Sequence, residues 1–206
     1  MYLVKTPEII KPFAGDLVWN KSREEKKIYL TFDDGPTEKI TFEILDLLEG
    51  LGAKATFFCI GGNVLKYPDA YKAILEAGHQ TANHTWNHMN GWEFSDYSYF
   101  KNVLECSRVV DSRLFRPPYG RITQSQAKAL KKRYDIIMWD VLSADWRSDV
   151  TPEKCLSNVR NNATAGSIIV FHDSEKAYAN MIYALPRFIE YSLEGGYAFE
   201  VLEKLT

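Results

Sequence analysis

Short apolar runs alternate along this chain with longer stretches in which apolar residues recur every three or four positions. The runs are KIYLTF (27–32), AKATFFCI (53–60), HQTAN (79–83), RLFR (113–116), DIIMWD (135–140), SIIVFH (167–172) and YAFEVL (197–202). Their length, and the β-branched and aromatic residues in them, predict strands. Between them the 3.6-residue period predicts helices. Over 38–49, Ile40, Ile44, Leu45, Leu47 and Leu48 share one face, and Gly50 and Gly52 end the segment. A second helix opens on Pro68 in its first turn and stops at Gly78. A third covers about 95–111, with Tyr99, Phe100, Val103, Leu104 and Val110 on one side. A fourth starts at Thr123, whose hydroxyl can cap a free amide while Gln126 reaches back to it. A fifth begins with Thr151 and Pro152, and a sixth covers 175–194 before Gly195 and Gly196. The pair Gly61–Gly62 reads as a turn, and no G-x-G-x-x-G dinucleotide signature is present.

Strands separated by helices imply a mostly parallel sheet, because parallel neighbours need a long crossover. Both an open doubly wound sheet and a closed barrel satisfy the pattern. The 206 residues fit one domain. Residues 1–26 read as an N-terminal extension packed on a main domain of 27–206.

Composition removes several classes. With 46% apolar and 25% charged residues the chain is of ordinary globular type, and its net charge of -2 gives no basic footprint for nucleic acid. No stretch approaches the ~20 apolar residues of a transmembrane helix, and the first residues lack the apolar core of a secretory leader, so a cytoplasmic location is the expectation. Cys59, Cys106 and Cys155 are odd in number and widely spaced, as for reduced core thiols.

The unusual polar residues fall where the predicted strands end. Asp33 and Asp34 follow the first strand, His84 and His88 the third, and Arg116 with PPYG the fourth; Asp140, Asp145 and Trp146 follow the fifth, and His172 with Asp173 the sixth. In parallel α/β folds that rim is where ligands bind. Singly, each residue has a plain structural reading: DGP is good turn chemistry, paired acids cap helices, RPPYG is a rigid exit loop, and a lone His after an apolar run is a satisfied core residue. Together they bring three of the four histidines and several acids to one rim.

In HTWNH two imidazoles sit at i and i+4, on one side if the segment is a helical turn. Asp, His and His suit zinc with room for water or substrate, and the same ligand types leave iron or cobalt open. One aspartate of the pair can bind the metal while its neighbour takes a proton from water. His172 is the candidate to protonate a departing amine, Arg116 can keep the base ionised, and a backbone amide near Tyr119 can hold a developing oxyanion.

With TFDDGP, HTWNH, RPPYG, the DW at 145–146 and VFHD in this order, the chain resembles the polysaccharide deacetylases of NodB-homology type, carbohydrate esterase family 4. The resemblance implies a distorted (β/α)7 barrel that hydrolyses N-acetyl groups from an N-acetylated glycan of peptidoglycan or chitin type. It also implies roles: Asp33 as base, Asp34, His84 and His88 as metal ligands, and His172 as acid. Arg116 would orient Asp33, Tyr119 would offer its amide, Asp145 would tune the charged partners, and Trp146 with Pro118 would line the groove. The chain departs from the family pattern twice. Leu142 stands where the fourth motif often has an acid, which leaves Asp140 or Asp145 to tune His172, and Val170 stands where a leucine commonly lines the acetate methyl pocket. Two other readings share these residues: a hydrolase of a non-sugar amide on the same barrel, and a glycan-binding module without catalysis.

Overall fold

The structure is a computed structural model that describes residues 3–9, 11 and 17–203. Eight strands form one sheet with every pairing parallel: β1 (Lys27–Asp33), β2 (Ala55–Cys59), β3 (Gln80–Asn83), β4 (Leu114–Phe115), β5 (Asp135–Ile136), β6 (Val141–Leu142), β7 (Ile168–His172) and β8 (Ala198–Phe199). The order is β5-β4-β3-β2-β1-β7-β6, with β8 beside the start of β1. Seven helices connect them: α1 (Ile40–Gly50), α2 (Gly61–Lys66), α3 (Pro68–Glu76), α4 (Asp96–Cys106), α5 (Gln124–Leu130), α6 (Pro152–Arg160) and α7 (Glu175–Glu194). This curled parallel sheet with an outer helical layer is the distorted (β/α)7 barrel.

Strand alternation divides the core. Leu30 and Phe32 of β1 pack outward with Ile44, Leu48, Leu185 and Phe188 of the helices. Thr31 and Asp33 face inward, where both meet Arg116. A smaller cluster of Phe58, Ala82, Ile137 and Ile168 with Tyr29 fills the interior. The cysteines are buried and free. No helix among the described residues is long and apolar enough to cross a membrane.

The capping box on α5 is present as expected. Two short elements differ from the sequence reading. Gly61 and Gly62 open α2 rather than forming only a turn, since Ile60 carries the chain in with extended backbone and no side-chain cap. The run 135–140 is not one strand: β5 stops at Ile136 and the chain enters β6 at Val141. The reason lies in the N-terminal segment, because Val18 bridges Ile137 and Lys5 bridges Val141, so this segment bonds to both free sheet edges. Asp140 lies between them, at the amino end of β7. It accepts hydrogen bonds from Ser167 and forms ion pairs with Lys5, Lys11 and Arg23. It is therefore not on the carboxyl-end rim where the sequence pattern put it.

Candidate active site

Asp33 ends β1 and is the register partner of His172 at the end of β7. Two adjacent parallel strands thus present a carboxylate and an imidazole at one level. Arg116 follows β4 and is fully buried, donating to Asp33 Oδ1 at 2.6 Å, Thr31 Oγ1 at 2.8 Å, and the carbonyls of Ile137 and Met138. Its guanidinium carbon lies 4.0 Å from the centre of the Phe58 ring. Each of the three guanidinium nitrogens has a partner, so the charge is fixed in place. Burial alone would raise the Asp33 pKa, but the charge of Arg116, which also donates to it, together with that of His172 outweighs it and holds the carboxyl below its usual range.

Asp34, His84 and His88 come together: one donor atom from each lies within 4.8 Å of the others. Asp34 Oδ1 is buried and accepts no hydrogen bond, although Nε2 of His88 is 3.2 Å away and Nε2 of His84 is 3.7 Å away. The Nδ1 of His84 is 2.8 Å from the Arg116 carbonyl, which can only accept, so Nδ1 carries the proton and Nε2 keeps its lone pair. Burial pushes His84 down to about 4 and lowers His88 as well, so both rings are neutral at pH 7. An orphaned carboxylate oxygen facing neutral imidazole nitrogens fits a divalent cation, and these three residues would hold it. The HTWNH segment is not the helical turn that the spacing suggested. Thr85 and His88 have φ of 66° and 59°, and this left-handed turn brings the rings together. Asn83 and Asn102 hold it by accepting from the amides of Thr85 and Trp86.

His172 Nδ1 is 2.8 Å from Asp145 Oδ1, and its backbone amide donates to Asp145 Oδ2 at 2.7 Å. Of the two acids left open by Leu142, Asp145 is the one in contact. Leu142 itself lies in β6 beside Val170. Burial works against the charged imidazole, yet the Asp145 carboxylate outweighs it and pushes His172 up to about 9. Trp146 packs on the same ring, with centroids 4.7 Å apart. Val170 is buried on the same strand face as His172, and Pro118 is buried at the start of a 3-10 turn, Pro118–Gly120. Tyr119 in that turn is exposed, has a φ of 60°, and sets its ring 4.5 Å from His88. Its amide finds no backbone acceptor among the described residues.

One further group has no role in the sequence reading. Asp173 is fully buried, accepts from the hydroxyls of Thr37 at 2.8 Å and Thr41 at 2.5 Å, and donates its amide to the Asp33 carbonyl. A Cβ at Gly35 would come within 2.3 Å of its carboxylate, so the turn after Asp34 closes over Asp173 only with glycine there. The Thr37 and Thr41 spacing is the one signal in the chain for this contact. Left-handed backbone is a shared feature: all five non-glycine residues with positive φ among those described, Asp34, Thr85, His88, Tyr119 and Ala144, lie on loops that carry the site. Each costs about 1–2 kcal/mol, which the packed barrel beneath must sustain.

A cleft of about 790 Å³ reaches Asp34, His88 and Asp173 from the α1 side, lined also by Lys66, Tyr67 and Tyr178. A second hollow of about 330 Å³ opens from His88 and Tyr119 in the direction of Glu93 and Arg121.

On one rim of an α/β barrel the structure thus brings together an Arg116-paired carboxylate, an Asp145-paired imidazole and three donors close enough for one cation, an arrangement compatible with hydrolytic chemistry. Comparison with known proteins narrows that chemistry. Residues 20–134, more than half of the chain, match the polysaccharide deacetylase family. The chain is 33% identical to a peptidoglycan-N-acetylglucosamine deacetylase of Bacillus cereus, over 93% of each protein. It is 31% identical to the peptidoglycan-N-acetylmuramic acid deacetylase PdaC of Bacillus subtilis, over 88% of this chain and 39% of that protein. The crystal structure of the Bc1960 peptidoglycan N-acetylglucosamine deacetylase superposes with a TM-score of 0.86 at 29% identity, covering 96% of this chain and 95% of that one. The chain belongs to the polysaccharide deacetylases, carbohydrate esterase family 4, and is a deacetylase acting on amide bonds.

Proposed function

We propose that this protein removes N-acetyl groups from an N-acetylglucosamine-containing glycan of peptidoglycan type, with a divalent cation held by Asp34, His84 and His88. The observation that carries the reading is the orphaned Asp34 oxygen facing two neutral imidazoles, flanked by the Arg116-paired Asp33 and the Asp145-paired His172. A bound cation would polarise the amide carbonyl and ease deprotonation of water; zinc is the first choice for this donor set, with cobalt or iron as alternatives. Asp33, kept ionised, accepts the proton of the attacking water. His172 holds its proton on Nε2, since Nδ1 faces Asp145, and delivers it to the sugar nitrogen as the carbon–nitrogen bond breaks. The products are acetate and a free amine. The Tyr119 amide is the donor for the carbonyl oxygen as it gains charge, Trp146 forms a wall beside His172, and Val170 with Pro118 bounds the acetyl methyl. The test is acetate release from N-acetylglucosamine oligomers and from peptidoglycan, with zinc or cobalt returned to metal-free protein. Asp33→Asn is expected to lose roughly 10²–10⁴-fold in rate. Undiminished activity in that variant would remove the base from the scheme.

A further inference from the structure

The break between β5 and β6 leaves residues 137–139 outside any strand, and the N-terminal segment supports this stretch from one side. Met138 donates its amide to the Val18 carbonyl at 2.7 Å, and the buried Thr6 hydroxyl donates to the Trp139 carbonyl at 2.8 Å. The carbonyls of Ile137 and Met138, instead of extending a ladder, turn to Arg116 and accept from its Nε and Nη2. Side chains of the same stretch reach the far end of the RPPYG loop. A Cβ at Gly120 would stand 2.6 Å from the six-membered ring of half-buried Trp139 and 3.3 Å from the Met138 methyl. Gly120, at a φ of 67°, therefore lies directly against the indole. One stretch thus braces the loop at both ends, Arg116 by backbone oxygens and Gly120 by an aromatic ring.

Between these two braces lies Tyr119, whose amide has no backbone acceptor among the described residues. The next two amides, of Gly120 and Arg121, close on the carbonyls of Pro117 and Pro118 at 3.0 Å. Pro118 has no N–H to give, so the turn offers the Tyr119 amide as its free donor. A φ of 60° at a tyrosine persists only where the surroundings impose it. The tyrosine ring is mostly exposed, so the constraint comes from its neighbour Gly120, seated on Trp139. We infer that Trp139 is a positioning residue for the deacetylation step: its ring fixes Gly120 and so aims the Tyr119 amide at the acetamido carbonyl oxygen, without touching substrate. The inference rests on the role proposed above for that amide and adds the residue that holds it in place.

The test compares Trp139→Ala and Trp139→Phe in zinc-loaded protein by two measurements. One is kcat and KM for N-acetylglucosamine oligomers; the other is backbone hydrogen exchange followed by mass spectrometry. Trp139→Ala is expected to lower kcat roughly tenfold and leave KM within about twofold, the pattern of a misplaced group that acts only in the transition state. Trp139→Phe keeps an aromatic ring beside the turn and is expected to recover part of the loss. Exchange over residues 119–121 should speed up in Trp139→Ala while β1 and β7 keep their protection. An unchanged kcat overturns the inference, as does a raised KM at constant kcat, which would mean that the ring touches substrate. Exchange that speeds up equally throughout the barrel also overturns it, because the ring would then only stabilise the fold. Failure of the deacetylation reading is separate: the unaltered protein would release no acetate, and exchange over 119–121 would still decide whether Trp139 holds the turn.

Discussion

Arg116 and Asp145 are single residues whose effects reach past their own contacts. Without Arg116, Asp33 would be a buried carboxylate with its main partner gone. Arg116→Met is therefore expected to cost about 3–5 kcal/mol, read as a lowered denaturant midpoint. Lysine is no remedy, because one ammonium cannot reach Asp33, Thr31 and two carbonyls together. Asp145 acts on pH dependence. His172 is raised from 6.5 to about 9, so the pair's contribution to stability is complete below about pH 6.5 and is lost as pH rises through 9. Activity that needs a protonated His172 declines over the same alkaline range. In Asp145→Asn the carboxylate is removed, and the alkaline limb of a kcat/KM profile is expected to move down toward the ordinary histidine value. An unmoved limb would mean that some other group reports there.

At the scale of elements, one acid adds side-chain ion pairs to the backbone bridges that join the N-terminal segment to the two sheet edges. Asp140 is inaccessible and faces Lys5, Lys11 and Arg23, of which only Lys11 is nearly buried. Asp140→Ala is expected to cost about 2 kcal/mol or more, less than a fully buried network because Lys5 and Arg23 stay partly in water. Limited proteolysis is the direct measurement: cleavage between residues 3 and 26 should speed up before the barrel itself is cut. The strand-end loops depend on a different device. β1, β2 and β7 set the level of the site by continuous ladders, whereas the turns after β1 and β3 hold their residues through left-handed backbone and buried asparagine, threonine and aspartate side chains.

For the whole molecule, a cation held by Asp34, His84 and His88 would tie β1 to the loop after β3, so occupancy should stabilise the fold by mass action. At free metal a hundredfold above its dissociation constant, the gain is about 2.7 kcal/mol. Addition of a chelator to zinc-loaded protein is expected to lower Tm by several degrees, a typical response for a domain of this size. Asp34→Ala should show no such shift. A chelator effect retained in that variant would place the metal elsewhere.

Much of this was legible in the chain itself. The alternation of apolar runs with helical stretches determined a parallel α/β layout, because periods of 2 and 3.6 residues reflect which side chains each element can bury. The positions of Asp33, Asp34, His84, His88, Arg116, Asp145 and His172 after predicted strands placed them on one rim. Tertiary structure alone decided that Asp140 leaves that rim, that Asp145 is the acid on His172, and that Asp173 lies beneath the Asp33–Asp34 turn. It also split residues 135–140 around an N-terminal segment. The physical reason is common to these cases. Periodicity records what a residue does to its near neighbours, whereas each of these outcomes is set by partners distant in sequence, such as the 27 residues between Asp145 and His172 or the 129 between Lys11 and Asp140.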